Sequence, residues 1–222
     1  ELENSLVVFI DIIHVNDPPN EFALLTPEAE SMIQTLTPLF EWGASFDPDL
    51  TDTVSYTLFY GDSIPALQII EVGTELSYQV SSDLNDNSTY YWKVIAEDLL
   101  GFQTINEGGY QTFYVNLSND PPSPFEILSP NANSIQTDLS PNFSWTESVD
   151  PDPLDSVEYR LTIDGAATTA NPWNYFVNTF ETHYTLDFSL EDNTTFFCMV
   201  NAHDTNGETV YANEVLFHTD SI

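Results

Sequence analysis

Short runs of alternating apolar and polar residues fill most of the chain, and prolines, glycines, asparagines and aspartates separate them. The clearest run spans 89–98, where Tyr90, Trp92, Val94 and Ala96 occupy every second position. This period of two is typical of β-strands with one buried face, and no segment shows the period of an amphipathic helix. The pattern predicts strands at 21–26, 37–43, 54–60, 67–72, 76–80, 89–98 and 109–117, and then at 124–128, 140–146, 156–163, 174–179, 182–187, 194–203 and 211–219.

One stretch of the sequence occurs twice, because 16–56 aligns with 119–159 without a gap at an offset of 103 residues. Each copy opens with Asn-Asp-Pro-Pro, continues through Phe-x-Trp in the second strand, and then carries Asp-Pro-Asp before a tyrosine. A match of this length indicates a duplicated unit. About seven short strands in roughly 100 residues are typical of a β-sandwich. We therefore predict two tandem sandwich domains, at 17–118 and 119–222.

Residues 1–16 are predicted to form an extra strand before the first domain. In the second copy Asn-Asp-Pro-Pro follows the last strand of the first unit, so by register Leu6–Val15 is the last strand of a preceding repeat. Left alone, this Val- and Ile-rich strand would expose an unpaired edge. Two interpretations stay open: the chain is a piece of a longer array, or the strand is donated to a sheet of a neighbouring molecule. No apolar run is long enough for a membrane span or a signal-peptide core, and a secreted form would have lost its signal or carry it outside this sequence.

Core positions repeat between the two units at matching places in the strands. They are Trp42, Tyr56, Leu84, Tyr90, Trp92, Val94 and Ala96 in the first unit, and Trp145, Tyr159, Leu190, Phe196, Cys198, Val200 and Ala202 in the second. This set resembles the fibronectin type III family over residues 18–222. The resemblance implies an all-β fold of two tandem seven-stranded fibronectin type III-like (Ig-like) sandwiches. The family's corner tyrosine is Tyr90 in the first unit but Phe196 in the second, which is expected to remove a hydroxyl hydrogen bond worth about 0.5–1.5 kcal/mol.

Charge narrows the range of partners. The chain has 36 acidic residues against 2 basic ones, Lys93 and Arg160, and a formal net charge of -34. Nucleic acids and anionic membrane surfaces are therefore poor partners. Such a chain suits surroundings rich in salt or divalent cations, which screen exposed charges. Its single cysteine, Cys198, permits no internal disulfide.

Each unit carries an acidic loop between its predicted second and third strands. The loops read Asp47-Pro-Asp49-Leu-Thr-Asp52 and Asp150-Pro-Asp152-Pro-Leu-Asp155. Calcium takes six to eight oxygen ligands from carboxylates and carbonyls, and turn-rich loops supply them readily. The alternative is that these aspartates initiate turns and stay solvated.

In the fold that the resemblance implies, the acidic loop shares one pole with the loop after the sixth strand, and the corner loop 84–87 lies at the opposite pole. Two groups of aspartates are then expected to bind calcium. Asp17, Asp47, Asp49, Asp52 and Asp98 would lie against a preceding unit, and Asp86, Asp120, Asp150, Asp152, Asp155 and Asp204 would meet near the junction of the two units. The hypothesis is that calcium locks this junction into a rigid rod.

The remaining candidate sites give weaker indications of binding or catalysis. Four Asn-x-Ser/Thr sequons, at Asn87, Asn116, Asn142 and Asn193, are candidate glycosylation sites, although about as many are expected by chance. The four histidines are dispersed without metal-ligand spacing, and no nucleophile elbow, Walker loop or dinucleotide fingerprint occurs. Cys198 falls at an inward position of the sixth strand, where a buried small side chain is expected. The sequence predicts no enzyme.

Taken together, these patterns favour a non-enzymatic, extracellular or cell-surface structural or adhesive protein, such as a subunit of a fibre, stalk or layer. Its partners would be copies of itself or neighbouring repeats, joined through the N-terminal strand, with calcium at the junctions and glycans on the surface. The alternative is a spacer or carbohydrate-binding accessory module of a secreted enzyme, with Trp173 and Tyr175 stacking on sugars.

Overall fold

The computed structural model describes residues 15–49, 52–65, 67–165 and 174–221. The predicted N-terminal strand lies outside these residues except for its last position. The chain divides into two compact units, one built from residues up to Asn85 and Thr89–Val115, the other from Asp86–Ser88 and Asn116 onward. Within the described residues every regular element is a β-strand. No helix there has the length and apolar character needed to cross a membrane.

The first unit consists of two sheets. Its strands are β1 (Leu24–Thr26), β2 (Ser31–Ile33), β3 (Leu39–Trp42), β4 (Ser55–Gly61), β5 (Gln68–Gly73), β6 (Ser77–Gln79), β7 (Ser88–Glu97), β8 (Gln103–Ile105) and β9 (Gln111–Val115). Strands β1, β3 and β6 form one sheet, and the other has the order β2-β9-β7-β4-β5 with β8 added to β7. Strand β2 pairs in parallel with β9, whereas the other pairs are antiparallel.

The second unit repeats this topology. Its strands are β10 (Ile127–Ser129), β11 (Ser134–Gln136), β12 (Asn142–Trp145), β13 (Glu158–Gly165), β14 (Asn174–Thr179), β15 (His183–Thr185), β16 (Thr194–His203), β17 (Thr209–Tyr211) and β18 (Val215–Thr219). The sheets are β10-β12-β15 and β11-β18-β16-β13-β14, with β17 added to β16. The all-β class and the two tandem sandwiches predicted from the sequence are thus confirmed.

Each unit has nine observed strands where seven were predicted, because two short strands per unit were not predicted. In the first unit these are β2, which follows β1 but belongs to the other sheet, and β8, which lies between β7 and β9. The segment between β8 and β9 contains Asn106, which is 3% exposed. Its side-chain oxygen accepts the Val94 N–H at 2.9 Å, and its amide group donates to the carbonyls of Glu107 and Gly109.

Inward side chains from both sheets form one core in each unit. In the first, Phe40 on β3 lies between the sheets, with its ring centroid 4.9 Å from Trp92 and 5.8 Å from Phe113. Every second residue of β7 from Tyr90 to Ala96 is buried, as the period of two predicts. Each large apolar side chain buried in this way contributes about 1.5–3 kcal/mol to stability.

The corner position differs between the units as the sequence indicates. The Tyr90 hydroxyl accepts the backbone N–H of Asn85 at 2.8 Å. Phe196, at the matching position of β16, has no hydroxyl and stacks on Phe217 with a centroid distance of 5.6 Å. The first unit thus has a side-chain hydrogen bond at the corner residue, whereas the second has a phenylalanine ring at this position.

Candidate functional site

The acidic loop of the first unit joins β3 to β4 and is held at its beginning by a buried tyrosine. The hydroxyl of Tyr56 on β4 accepts the backbone N–H of Ser45 at 2.8 Å. The Ser45 hydroxyl in turn donates to the carbonyl of Asn20, and the Asn20 N–H donates to the carbonyl of Phe46 at 2.9 Å. The loop is thereby bound to the segment that begins with Asn-Asp-Pro-Pro, which from here on is called the linker segment (16–20 in this unit, 119–123 in the second).

Three carboxylates converge at the tip of this loop. One oxygen each of Asp47, Asp49 and Asp52 lies within 4.8 Å of the others. Asp47 Oδ1 accepts the Asp49 N–H at 2.8 Å, which is the hydrogen bond of a turn-forming aspartate. Asp49 is only 5% exposed, and its Oδ2 accepts the backbone N–H of Asp17 at 2.9 Å. The tip of the loop thus also holds the linker segment.

Asp98 follows β7 and organises the neighbouring loop. Its Oδ1 accepts the N–H groups of Leu100 and Phe102 at 2.8 and 2.9 Å, and its Oδ2 accepts the side-chain amide of Asn16 at 2.7 Å. Burial opposes the charge, but the hydrogen bonds from Asn16 and the loop outweigh it and hold the pKa of Asp98 below its usual range. Asp98 therefore acts as an anionic anchor for its loop and for the linker segment.

The second unit reproduces these bonds. The Ser148 N–H donates to the Tyr159 hydroxyl at 2.7 Å, and the Ser148 hydroxyl donates to the Ser123 carbonyl. The remaining matches are as follows: Asp152 N–H to Asp150 Oδ1 at 2.9 Å, Asp120 N–H to Asp152 Oδ2 at 2.8 Å, and Asn119 Nδ2 to Asp204 Oδ2 at 2.7 Å. The arrangement is therefore a repeated feature of the fold.

The two clusters differ in one respect. In the second unit the carboxylates that converge within 4.8 Å are those of Asp150, Asp155 and Asp204. Asn206 helps to hold them, because its amide donates to Asp155 Oδ2 at 3.1 Å and to Asn119 Oδ1 at 3.0 Å. The first unit has Leu100 at the position of Asn206 and lacks this bridge.

Neighbouring negative charges act on the carboxylates of the second unit. Burial, followed by the charges of neighbouring aspartates, raises the pKa of both Asp150 and Asp152. The pKa of Asp204 is lowered despite its burial, because Asn119 and three N–H groups of its loop donate to the carboxylate. The buried carboxylate oxygens that accept no hydrogen bond in the part of the chain that the structure describes include Asp47 Oδ2, Asp150 Oδ2 and Asp152 Oδ1.

The two basic side chains of the protein are placed against aromatic rings. The Lys93 ammonium lies 5.0 Å from the ring centre of Phe59 and 4.6 Å from that of Tyr110, and the Arg160 guanidinium lies 4.1 Å from that of Phe176. Such contacts are cation–π interactions. Both cations thus have aromatic partners on the strands.

The other aspartates predicted as metal ligands have different roles. Asp17 and Asp120 contribute backbone N–H groups, and Asp86 Oδ1 accepts the N–H groups of Asn87 and Leu117 at 3.0 and 2.9 Å. Among the described residues neither three-carboxylate cluster includes Asp17, Asp86 or Asp120. Calcium binding by these three aspartates stays a prediction, as does a calcium site at the junction.

The four sequons lie in different environments. Asn193 is exposed, and Asn142 is exposed on β12 with its side-chain oxygen accepting the Thr185 hydroxyl. Asn87 is half-buried, and its amide donates to Asp120 Oδ2 at 2.9 Å. Asn116 is only 7% exposed, so a glycan there requires the side chain to leave its buried position. Glycosylation stays a prediction at all four.

Residues considered for catalysis or sugar binding are engaged in the fold. Cys198 is fully buried, and burial raises the pKa of its thiol to about 12, so it is an unreactive core residue. Tyr175 is half-buried, its ring packs 4.9 Å from that of Phe188, and its hydroxyl lies 2.9 Å from that of Tyr184. Trp173 lies outside the described residues.

Four residues of the site were not predicted from the sequence: Asn16, Asn119, Ser45 and Ser148. All four recur in the aligned copies, so a signal for them was present. Their polar side chains recur at positions that the hydrophobic pattern does not require. Such positions report on hydrogen bonds between loops, which the strand pattern does not reveal.

No protein-family model matches the chain, and no curated protein matches it. Solved structures to which it is similar include the FN1–FN3 domains of chicken CNTN1, at 14% identity and a TM-score of 0.41, covering 92% of this chain and 67% of that chain. They also include the fibronectin(III)-like modules of Clostridium thermocellum CbhA, at 12% identity and a TM-score of 0.33, covering 90% of this chain and 94% of that chain.

Proposed function

We propose that this chain is a non-catalytic structural part of an extracellular or cell-surface assembly, built from tandem β-sandwich units. The observation that carries the proposal is the repeated attachment of each linker segment to its own unit. Asn16 and Asn119 donate to Asp98 and Asp204 at the same distance, 2.7 Å. A fixed linker segment is what a repeating fibre, stalk or layer requires, because it determines the direction in which each unit continues the chain.

The linker segments are stiff as well as attached. Two consecutive prolines restrict the backbone of each one to extended conformations. In the first unit the Pro19 carbonyl also accepts the Thr104 hydroxyl. A stiff segment held by several hydrogen bonds loses little further entropy on assembly, which favours end-to-end association of units.

The polar groups of the acidic loops support a structural role. Asp49, Asp98, Asp152 and Asp204 are each at most 5% exposed, and each accepts hydrogen bonds from its own loop or linker segment. A catalytic carboxylate must reach a substrate, whereas these four are directed into the fold. The burial and hydrogen bonds of these four carboxylates therefore favour a structural role over a catalytic one.

Sedimentation velocity across a range of protein concentrations tests the proposal. We expect the whole chain to form concentration-dependent assemblies, and a variant lacking residues 1–15 to remain monomeric if the N-terminal strand is donated between molecules. Asn119→Ala, with Asn142→Ala as an exposed asparagine control, should weaken assembly by loosening the second linker segment. A whole chain that stays monomeric at every concentration would overturn the assembly and favour the alternative, a spacer module of a secreted enzyme.

A further inference from the structure

We propose that each unit holds one divalent cation, calcium by its ligand chemistry, at the tip of its own acidic loop. The ligands are the clustered carboxylates of Asp47, Asp49 and Asp52 in the first unit, and those of Asp150, Asp155 and Asp204 in the second. Asp152 lies beside the second cluster, because its N–H donates to Asp150 Oδ1. This differs from the sequence hypothesis, in which calcium joins two units at their junction. Only the consequence of cation binding, the fixing of the linker segment, rests on the proposed function. Cation binding itself is measured separately from assembly.

Buried oxygens without hydrogen-bond partners are the observation that points to a ligand. Asp152 is 4% exposed, and its Oδ2 accepts the Asp120 N–H while its Oδ1 has no partner among the described residues. Buried polar groups in folded proteins almost always have partners, and an orphan oxygen is commonly explained by an ion or a water. A buried carboxylate oxygen is costly to leave in this state.

A second kind of buried oxygen without a hydrogen-bond partner occurs at the same position in both units. Asp47 and Asp150 occupy matching positions, each uses Oδ1 to accept the N–H two residues on, and each has a buried Oδ2 with no partner among the described residues. A turn-forming aspartate needs only the first of these oxygens. The turn interpretation therefore accounts for one oxygen of each carboxylate and leaves the second, buried oxygen unexplained.

The negative charge of the clustered carboxylates also favours a bound cation. The carboxylates of each cluster lie within 4.8 Å of one another, and the charges of Asp155 and Asp204 act on both Asp150 and Asp152. Both basic side chains of the protein lie over aromatic rings elsewhere on the strands. A bound cation would remove the repulsion without any basic side chain.

The oxygen atoms around each cluster indicate which kind of cation would bind. A recess of about 410 Å³ beside the first cluster is lined by oxygen-bearing and apolar residues with neither His nor Cys, and a recess of about 210 Å³ beside Asp155 in the second unit is lined in the same way. All-oxygen sites suit hard cations and disfavour zinc. An irregular loop with carboxylates and room for water fits calcium better than magnesium, which demands near-octahedral geometry.

Terbium luminescence provides a test that needs no variant. Tb³⁺ takes oxygen ligands as Ca²⁺ does, and Tyr56 and Tyr159 line the two recesses, close enough to sensitise its emission. Titration of the whole, cation-depleted chain should give saturable emission with two ions per chain, and calcium chloride should displace it. Emission that rises without saturation, or that calcium fails to displace, would overturn the proposal and leave the aspartates as turn formers.

Calorimetric titration of calcium chloride into variants assigns the sites. Asp150→Asn, which keeps the turn-forming oxygen, should remove one of the two bound ions, and Asp47→Asn the other. Asp62→Asn, on an exposed loop, changes the net charge equally and should leave both. Equal effects of all three would overturn the sites in favour of diffuse charge screening. Two bound ions in a chain that never assembles would support the cation sites and overturn the proposed assembly. Assembly without bound ions would support the proposed function and overturn the cation sites.

Discussion

Replacing Tyr56 by phenylalanine removes one hydroxyl from the point at which core and acidic loop meet. The ring is 4% exposed and packs against Phe22 and Trp42, contacts that phenylalanine retains. The hydroxyl accepts the Ser45 N–H at 2.8 Å and lies 3.4 Å from the Ser45 carbonyl, to which it donates. The substitution therefore isolates one hydrogen-bonding group without a cavity of any size.

The expected cost follows from what is left behind. Ser45 is 7% exposed, so its N–H would be buried without an acceptor, which costs about 1–3 kcal/mol. In a unit of this size each kcal/mol lowers the melting temperature by about 4–8 °C. Burial raises the pKa of Tyr56 above its ordinary value, outweighing the hydrogen bond from Ser45, so the hydroxyl stays protonated and the cost should be constant from mildly acidic to mildly basic pH.

The second unit provides a replicate within the same molecule. Tyr159 accepts the Ser148 N–H at 2.7 Å, so Tyr159→Phe should destabilise its unit by a similar amount. Tyr90→Phe is the matched control, because the Tyr90 hydroxyl accepts the Asn85 N–H and the second unit already has Phe196 at this position. Its cost should be lower, about 0.5–1.5 kcal/mol.

Calorimetry and urea denaturation of the whole chain measure these costs. Tyr56→Phe and Tyr159→Phe should each shift one unfolding transition and leave the other in place. The reasoning would be refuted by a change of less than about 0.3 kcal/mol in both variants, or by a larger loss from Tyr90→Phe than from either of them.

Three further outcomes are expected. Hydrogen bonds from the Ser221 side chain and backbone lower the pKa of Asp192, so the ionised carboxylate stabilises the fold above its unfolded pKa, and this stabilisation is lost as the pH falls through the folded pKa. The difference in free energy of unfolding between the native chain and Asp192→Asn, measured in urea, should therefore disappear in acid. A difference that persists there would contradict this. Cys198 should resist a thiol reagent in the native chain and react after denaturation, because burial raises its pKa to about 12. In a glycosylating host, intact-mass analysis should find glycan on the exposed Asn193 before the buried Asn116, and the reverse order would be inconsistent with their burial.

The long strands were predictable because they carry enough residues to show a period. Strands β7 and β16 each have ten residues, and the predictions at 89–98 and 194–203 agree with them within one residue. The three-residue strands β2, β8, β11 and β17 were missed. Three residues contain no measurable alternation, and their pairing is determined by a neighbouring strand that is distant in sequence.

The acidic residues were predictable as a group, but their separate roles were not. Asp47 and Asp98 have the same side chain and both precede turns. Asp47 has one buried oxygen without a hydrogen-bond partner among the described residues, whereas Asp98 uses both oxygens for its loop and for Asn16. The difference depends on which N–H groups face each carboxylate. That information lies in the backbone path, which composition and spacing do not specify.

A comparison of the two units shows where the fold permits change. Trp92 and Cys198 occupy matching, fully buried positions, although their volumes differ greatly. The second unit packs Tyr175 and Phe188 against its core, and the first has Ser82 at the position of Phe188. Cores accept such exchanges because apolar volume can be supplied from several directions.

The hydrogen-bonded aspartates and asparagines of the acidic loops and linker segments are not exchanged between the two copies. The aspartates of the loop tips, the anchoring aspartates after the sixth strand and the asparagines of the linker segments are the same residue types in both units and make bonds within 0.1 Å of the same length. Hydrophobic burial is non-directional and constrains volume, whereas a hydrogen bond to a carboxylate constrains the positions of both donor and acceptor. The second kind of constraint explains why these hydrogen-bonded residues are the same in both units although Trp92 and Cys198 are not.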